Sequence, residues 1–222
     1  MPPVSTTGKS RARSTIRRPP PRRSVRARRS PWPRRLIGLA LVAAIAGVGY
    51  LIVREPFGDA VRDVTLPLRH EDVIRQQARE KGLDPALIAA IIYEETRFRP
   101  RTSSAGAEGL MQIVPETAQF IADRSGGTQF ELRDLGTPQI NIQYGSFYLR
   151  YLLQQYGGDE DLAVAAYNGG ETNLNDWIAA AGGLEAFDVG DDIPFPETRE
   201  YVENVSERRD EYAKHYRKEL GL

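Results

Sequence analysis

The chain has 222 residues, with 30 basic and 30 acidic side chains, two histidines and no cysteine. Without cysteine there is no disulfide, thiol nucleophile, iron–sulfur cluster or cysteine-linked lipid; His70 and His215 are far apart, form no HExxH pattern and are expected at the surface, so neither a histidine-built zinc site nor a Ser-His-Asp triad is expected. The balanced charge hides an asymmetry, because residues 1–35 hold twelve of the basic side chains and no acid, leaving 18 basic against 30 acidic side chains in residues 36–222.

Residues 1–35 are rich in Arg, Pro and Ser, with RRPPPRR in the middle. Such a segment cannot bury enough apolar surface to fold and is expected to be a disordered basic tail. A nucleic-acid-binding arm is one reading of a basic run. The apolar segment next to it favours another, so nucleic acid is not an expected partner. Residues 36–53, LIGLALVAAIAGVGYLIV, are 18 consecutive uncharged residues. As a helix they would span about 27 Å, enough for a bilayer core. Arg34 and Arg35 abut the start, and Tyr50 lies near the other end. The basic excess before the span predicts a single-pass anchor in the inner membrane, with a cytoplasmic tail and an exported body in the periplasm or otherwise outside the membrane. A cleaved signal peptide would instead need small residues after the apolar stretch; here it ends in the bulky, charged YLIVREPF, which favours an uncleaved anchor.

Residues 54–69 read as a linker, and 70–222 as one domain built of helix after helix. HEDVIRQQAREKG predicts a helix closed by Gly82. DPALIAAIIYEE predicts the next, with Asp84 as N-cap and Pro85 in the first helical position. Pro115 starts a third, and PQINIQYGSFYLRYLLQQYGG gives a long fourth stopped by Gly157-Gly158. DEDLAVAAYNGG is short and expected to break at Asn168-Gly169-Gly170; LNDWIAAAGG gives another, and a single helix from Pro196 closes the chain. Period-2 alternation is scarce, so the fold class is all-α, with room for a small hairpin in the loops.

The adjacent Glu94 and Glu95 end the most apolar of these helices. With about 100° per residue from Leu87, Ile91, Ile88 and Ile92 define an apolar arc centred at about 70°. Glu95 falls at about 80°, inside the arc, and Glu94 at about −20°, at its edge. A carboxyl among apolar neighbours is held protonated and can serve as a general acid. Equally, the helix could end there with Glu95 in water. The pattern alone leaves both readings open.

Four motifs accompany that glutamate in order: ETRFRP at 95–100, GAEGLMQIVPETA at 106–118, AVAAYNGG at 163–170 and IPFPETREYV at 193–202. Together they resemble the soluble lytic transglycosylase (SLT) domain of the lysozyme-like superfamily, over roughly residues 70–215. The resemblance implies a lysozyme-like helical domain that cleaves the MurNAc–GlcNAc β-1,4 bond of peptidoglycan, with glycan strands as its partner and no metal or other cofactor. Glu95 matches the family's catalytic acid/base and Thr96 the hydroxyl residue after it, usually Ser; by itself Thr96 would equally bond nearby backbone. Gly109, Leu110, Met111 and Gln112 match the substrate-cleft loop, although Met111 taken alone reads as core. Tyr167 and Asn168 match the tyrosine near the acid and its neighbour; otherwise they read as a buried ring and a helix cap. Glu197 and Tyr201 match the ETRxY element and would line the cleft; otherwise they read as a helix-start acid and a core ring. The chain departs from the family's AYNAGPG with AYNGGETN, so the turn after Gly169 is expected to differ.

The family's chemistry, as the resemblance implies it, uses one carboxyl. Glu95 would protonate the glycosidic oxygen, the substrate's N-acetyl group would relieve the positive anomeric centre, and Glu95 would then take the muramyl 6-hydroxyl proton as that oxygen closes into a 1,6-anhydro ring. Glu94, Glu108 and Glu116 would be dispensable. A muramidase of the same fold would instead need a positioned water, usually with a second acid. A non-catalytic wall-binding module is the remaining reading, and the acid's presence weighs against it.

Overall fold

The computed structural model describes residues 63–126 and 130–222, together with Ala43, Ala44 and Gly47, which are helical. The chain divides into two compact units, Met1–Ile52 and Val53–Leu222. The expected basic tail, the expected anchor over 36–53 apart from those three residues, and the first part of the 54–69 linker lie outside the described residues. Among the described residues no helix is long and apolar enough to cross a membrane.

The second unit is mostly helical: α1 (Glu71–Lys81), α2 (Pro85–Thr96), β1 (Arg101–Thr102), β2 (Glu108–Gly109), α3 (Pro115–Ser125), a 3-10 turn (Leu132–Gly136), α4 (Pro138–Gln155), α5 (Glu160–Gly169), α6 (Glu171–Ala180), α7 (Val189–Asp192), α8 (Pro196–His215) and α9 (Arg217–Leu220). β1 and β2 form a small antiparallel hairpin, with Arg101 opposite Gly109 and Thr102 opposite Glu108. Local chemistry accounts for most boundaries. Asp84 accepts from the Ala86 N–H at 2.8 Å ahead of Pro85, and Asp159 accepts from the Leu162 N–H at 3.0 Å to open α5.

The apolar arc of α2 is the clearest difference from expectation. Every residue from Ala86 to Tyr93 is buried, so this helix has no polar face against which an arc could be read. Ala86, Ala89 and Ala90 leave room for other elements to close in, and α2 packs against α1 and, most extensively, α8. The helix is the core's centre. Its end is set by Arg97 and Phe98, both in the left-handed region with φ of 51° and 59°. Two such non-glycine residues cost about 1 to 2 kcal/mol each. Phe98 is 2% exposed, and burying a phenylalanine contributes about 1.5 to 3 kcal/mol, which offsets much of that strain.

Three other boundaries differ. α5 runs through Asn168 and Gly169 and stops only at Gly170, whose φ of 88° turns the chain directly into α6, three residues before LNDWIAAAGG begins. The closing helix is two helices, because Tyr216 leaves helical geometry while its buried ring packs at 5.7 Å from that of Tyr212. The end of the linker is fastened to the helices. Tyr93, Tyr212 and Tyr216 donate their hydroxyls to the carbonyls of Thr65, Pro67 and Leu66 at 2.9, 2.5 and 2.7 Å.

Candidate active site

The two glutamates at the end of α2 part company. Glu94 meets Arg208 of α8, whose Nε donates to it at 3.4 Å. That guanidinium also lies over the Tyr93 ring, 4.4 Å from its centroid, and pairs with Glu211. Glu94 therefore has a cation fixed beside it. Glu95 has no ion pair among the described residues; its Oε1 accepts from the Tyr201 hydroxyl of α8 at 2.7 Å. The Glu95 carboxyl is pushed up to about 7, first by burial, with a smaller push from the charge of Glu94. The Tyr201 hydrogen bond and the charge of Arg101 work the other way. The Tyr201 phenol is in turn raised well above its ordinary value by burial and then by Glu95, so it stays a donor.

Glu95 opens into a cleft of about 400 Å³ lined also by Gln112, Thr117, Tyr148, Tyr167 and Asn168. Among the described residues Glu95 is the one carboxylate lining it. A larger opening of about 880 Å³, between other residues of α5, α8 and the loop before α7, does not reach Glu95. The smaller cleft is the one with chemistry to offer, a partly protonated acid among polar and aromatic side chains.

The loop opposite the acid is held by its backbone. Asn141 of α4, wholly buried, donates to the Glu108 carbonyl at 2.8 Å and accepts from the Met111 N–H at 2.7 Å. Gly109, at φ 78°, leaves no space for a side chain: a Cβ would stand 2.2 Å from Asn141 Nδ2 and 2.6 Å from the Leu135 carbonyl oxygen. Its smallness serves this internal contact. Leu110 and Met111 are wholly buried, so their side chains belong to the core, where Met111 fills the space over Gly145 of α4. Gln112 does line the cleft, at φ 48°; its amide NH₂ donates to the Arg101 and Gly109 carbonyls, both at 2.8 Å. That leaves the amide oxygen as its remaining acceptor.

Thr96 spends its hydroxyl on backbone, with the Ile92 carbonyl at 3.2 Å and the Leu110 carbonyl at 2.8 Å. It ties the acid's helix to the loop. Tyr167 lines the cleft, but its hydroxyl donates to the Met111 carbonyl at 2.9 Å; the hydroxyl on the acid belongs to Tyr201. Burial, then the charge of Glu95, raise the Tyr167 phenol well above its ordinary value. Asn168 accepts from the Thr198 hydroxyl at 2.9 Å, joining α5 to α8. Glu197, at the start of α8, is exposed and does not line the cleft. Thus Glu95, Gln112, Tyr167, Asn168 and Tyr201 come together, with Thr96, Gly109, Leu110 and Met111 supporting them from within.

Sequence reasoning missed Tyr148, Thr198, Asn141 and Arg101. Tyr144, Tyr148 and Tyr151 stand at helical spacing, a stripe that could have flagged Tyr148; its ring centroid lies 5.6 Å from that of Tyr167. Thr198 shares a helix face with Tyr201 at i, i+3. Arg101, whose Nη2 donates to the Glu95 carbonyl at 3.0 Å, carries no pattern that would single it out.

The chain is similar to known proteins in both sequence and fold. A family model described as the transglycosylase SLT domain matches residues 72–189. The soluble lytic murein transglycosylase of Salmonella typhimurium is 35% identical over 186 residues, covering 80% of this chain and 26% of that protein. The protein of the same name from Escherichia coli K12 is 33% identical over 173 residues, covering 75% of this chain and 25% of its own length. The chain thus spans about a quarter of the length of the curated relatives it matches. Among solved structures, the 70 kDa soluble lytic transglycosylase of E. coli superposes with a TM-score of 0.64 at 30% identity, covering 69% of this chain and 25% of that one. The lytic transglycosylase Slt of Pseudomonas aeruginosa, solved as an inactive Glu-to-Gln variant, superposes with a TM-score of 0.63 at 30% identity, covering 70% and 25%.

Proposed function

The chain belongs to the transglycosylase SLT domain family, and from that premise we propose that it is a peptidoglycan lytic transglycosylase acting through Glu95 alone. The observation that carries this reading is the one carboxyl that lines the cleft among the described residues, poised at about 7 with a phenol rather than a cation as its partner. At neutral pH such a group is close to half protonated, so it can serve first as acid and then as base with little driving force lost in either step. The Pseudomonas aeruginosa lytic transglycosylase is inactive as a Glu-to-Gln variant, so a glutamate is essential in that relative.

The residues define the cycle. Protonated Glu95 gives its proton to the glycosidic oxygen between MurNAc and GlcNAc, and the C–O bond breaks. The substrate's acetamido oxygen shares the positive charge at the anomeric carbon. Tyr201 donates to the carboxylate so formed, as it does at rest, which steadies the base for the second step. Glu95 then removes the muramyl 6-hydroxyl proton while that oxygen bonds to the anomeric carbon. The acid is regenerated, the product is a 1,6-anhydromuramyl end, and no water is consumed. A second carboxylate, which most glycosidases need as base or nucleophile, has no place in this scheme. Gln112, Asn168 and Tyr148 would contact the sugars.

We place the domain outside the inner membrane, anchored by residues 36–53. The uncharged run and the basic residues before it support that placement.

Mass spectrometry of muropeptides released by the full chain in detergent, beside Glu95→Gln, tests the function. Products lighter by one water than hydrolytic ones, and absent with the variant, are expected. Reducing-end products would make the enzyme a muramidase instead.

A further inference from the structure

Glu95 borders a second opening besides the sugar cleft. This one holds about 390 Å³ and is lined by Glu94, Thr96, Arg97, Arg99, Pro100 and Arg101 along with Glu95. Its charge is unusual for this molecule, since residues 36–222 carry 18 basic against 30 acidic side chains. Arg97, Arg99 and Arg101 are all exposed, and none forms an ion pair among the described residues. Two carboxyls share the opening: Glu94, already matched by Arg208, and Glu95, which burial keeps partly protonated near neutral pH, so the three arginines outweigh them.

The backbone sets this arrangement. The consecutive left-handed residues Arg97 and Phe98 turn the chain back at the end of α2, and buried Phe98 pins the turn. The arginines on either side of it stay outside. The Arg97 guanidinium lies over the Tyr93 ring at 5.5 Å, which restricts it before any ligand arrives. Arg101 is engaged with the Glu95 carbonyl; among the described residues no carboxylate pairs with Arg97 or Arg99, which leaves these two to take an anion. Guanidinium groups match the planar fork of a carboxylate with two parallel hydrogen bonds.

The geometry points to an anion subsite: we propose that Arg97 and Arg99 bind a carboxylate of the peptide stem carried by the muramyl residue at the cleavage point. The proposal rests on the peptidoglycan reading of the cleft. If Glu95 protonates the bond at a muramyl C1, that sugar's lactyl ether and its peptide leave the cleft within one residue of the acid. An opening that borders the acid and presents unmatched positive charge is where a stem carboxylate would find a partner. The acidic body would otherwise repel that group.

The test measures binding without turnover, using the full chain in detergent with Glu95→Gln throughout. Titration calorimetry compares three soluble glycan tetrasaccharides: one with native stem peptides, one with the stem carboxyls amidated, and one stripped of peptide. Amidation is expected to weaken binding about tenfold, in the range of a lost charge-assisted hydrogen-bonded pair. Adding Arg97→Gln and Arg99→Gln is expected to weaken the native ligand by a similar factor, to remove the effect of amidation and to leave the stripped glycan unchanged. Arg99→Gln alone, which leaves Arg97 on Tyr93, is expected to give part of the effect. Equal weakening of all three ligands, or no effect of amidation, would overturn the proposal while leaving the peptidoglycan reading intact. A phosphate-bearing strand that bound more tightly than the peptide-bearing one would assign the opening to another anion and also overturn it. If none of the glycans bound, the proposal would fall together with the peptidoglycan reading.

Discussion

The last turn of α2 presents two carboxyls to two different neighbourhoods. On one side Glu94 faces Arg208, a cation held by a ring and a second acid. On the other, Glu95 faces Tyr201 and a cleft that no other carboxylate lines among the described residues. Neighbours in sequence, they differ in what compensates their burial. Glu94 has a cation beside it. For Glu95 a neutral donor compensates burial only in part, and the proton returns near neutral pH. The difference between a fastener and an acid is therefore made by α8, which supplies both Arg208 and Tyr201 from more than a hundred residues away.

Exchanging the two carboxyls one at a time breaks the comparison most sharply. Glu95→Gln is expected to lower turnover by about a thousandfold or more, the scale of a lost general acid. Glu94→Gln is expected to stay within about threefold, judged by initial rates on purified peptidoglycan with circular dichroism to confirm folding. Stability should move the opposite way for the same Glu95→Gln change. The folded carboxyl titrates at about 7 against an ordinary 4.5, so the folded state holds a proton that the unfolded state has released. The acid's favourable contribution is fully present below about pH 4.5 and is lost as pH rises through about 7. The variant is therefore expected to be more stable than the parent above pH 7, by as much as about 3 kcal/mol, with the gap closing toward pH 4.5. Urea unfolding at a series of pH values reads this directly, and a gap independent of pH would count against the burial argument.

The wall facing the acid can be loosened without touching it. Asn141→Ala leaves the Met111 N–H without its partner, while the Glu108 carbonyl keeps the Ile113 N–H at 3.0 Å, and the expected cost is about 1 to 3 kcal/mol in the same unfolding experiment. The finest probe is Tyr201→Phe. It removes the hydrogen bond that favours the ionised form of Glu95, so the fall in kcat/KM as pH rises through the acid's titration is expected to move to higher pH. An unmoved limb would show that the phenol only packs.

Much of the fold and part of the site are legible in the sequence, for identifiable reasons. Capping chemistry at Asp84 and Pro85 acts over a few residues, so it fixes the start of α2 from sequence alone. The motifs mark Glu95, whereas a helical arc does not describe a helix buried all round. Partner choice is illegible. Tyr167 and Tyr201 are both cleft tyrosines by pattern, yet one donates to Met111 and the other to the acid; only the packing of α5 and α8 decides which. The motif GLMQ likewise conceals a division of labour, with Gly109, Leu110 and Met111 turned to the interior and Gln112 to the cleft.

The most direct check on the central claim is a carboxyl-carbon NMR titration of Glu95 in the ¹³C-labelled protein, assigned by loss of its signal in Glu95→Gln. A midpoint at about 7 is predicted. A midpoint within the ordinary carboxylate range, at about 4 to 5, would mean that Glu95 is ionised at neutral pH, and would contradict its role as the proton donor.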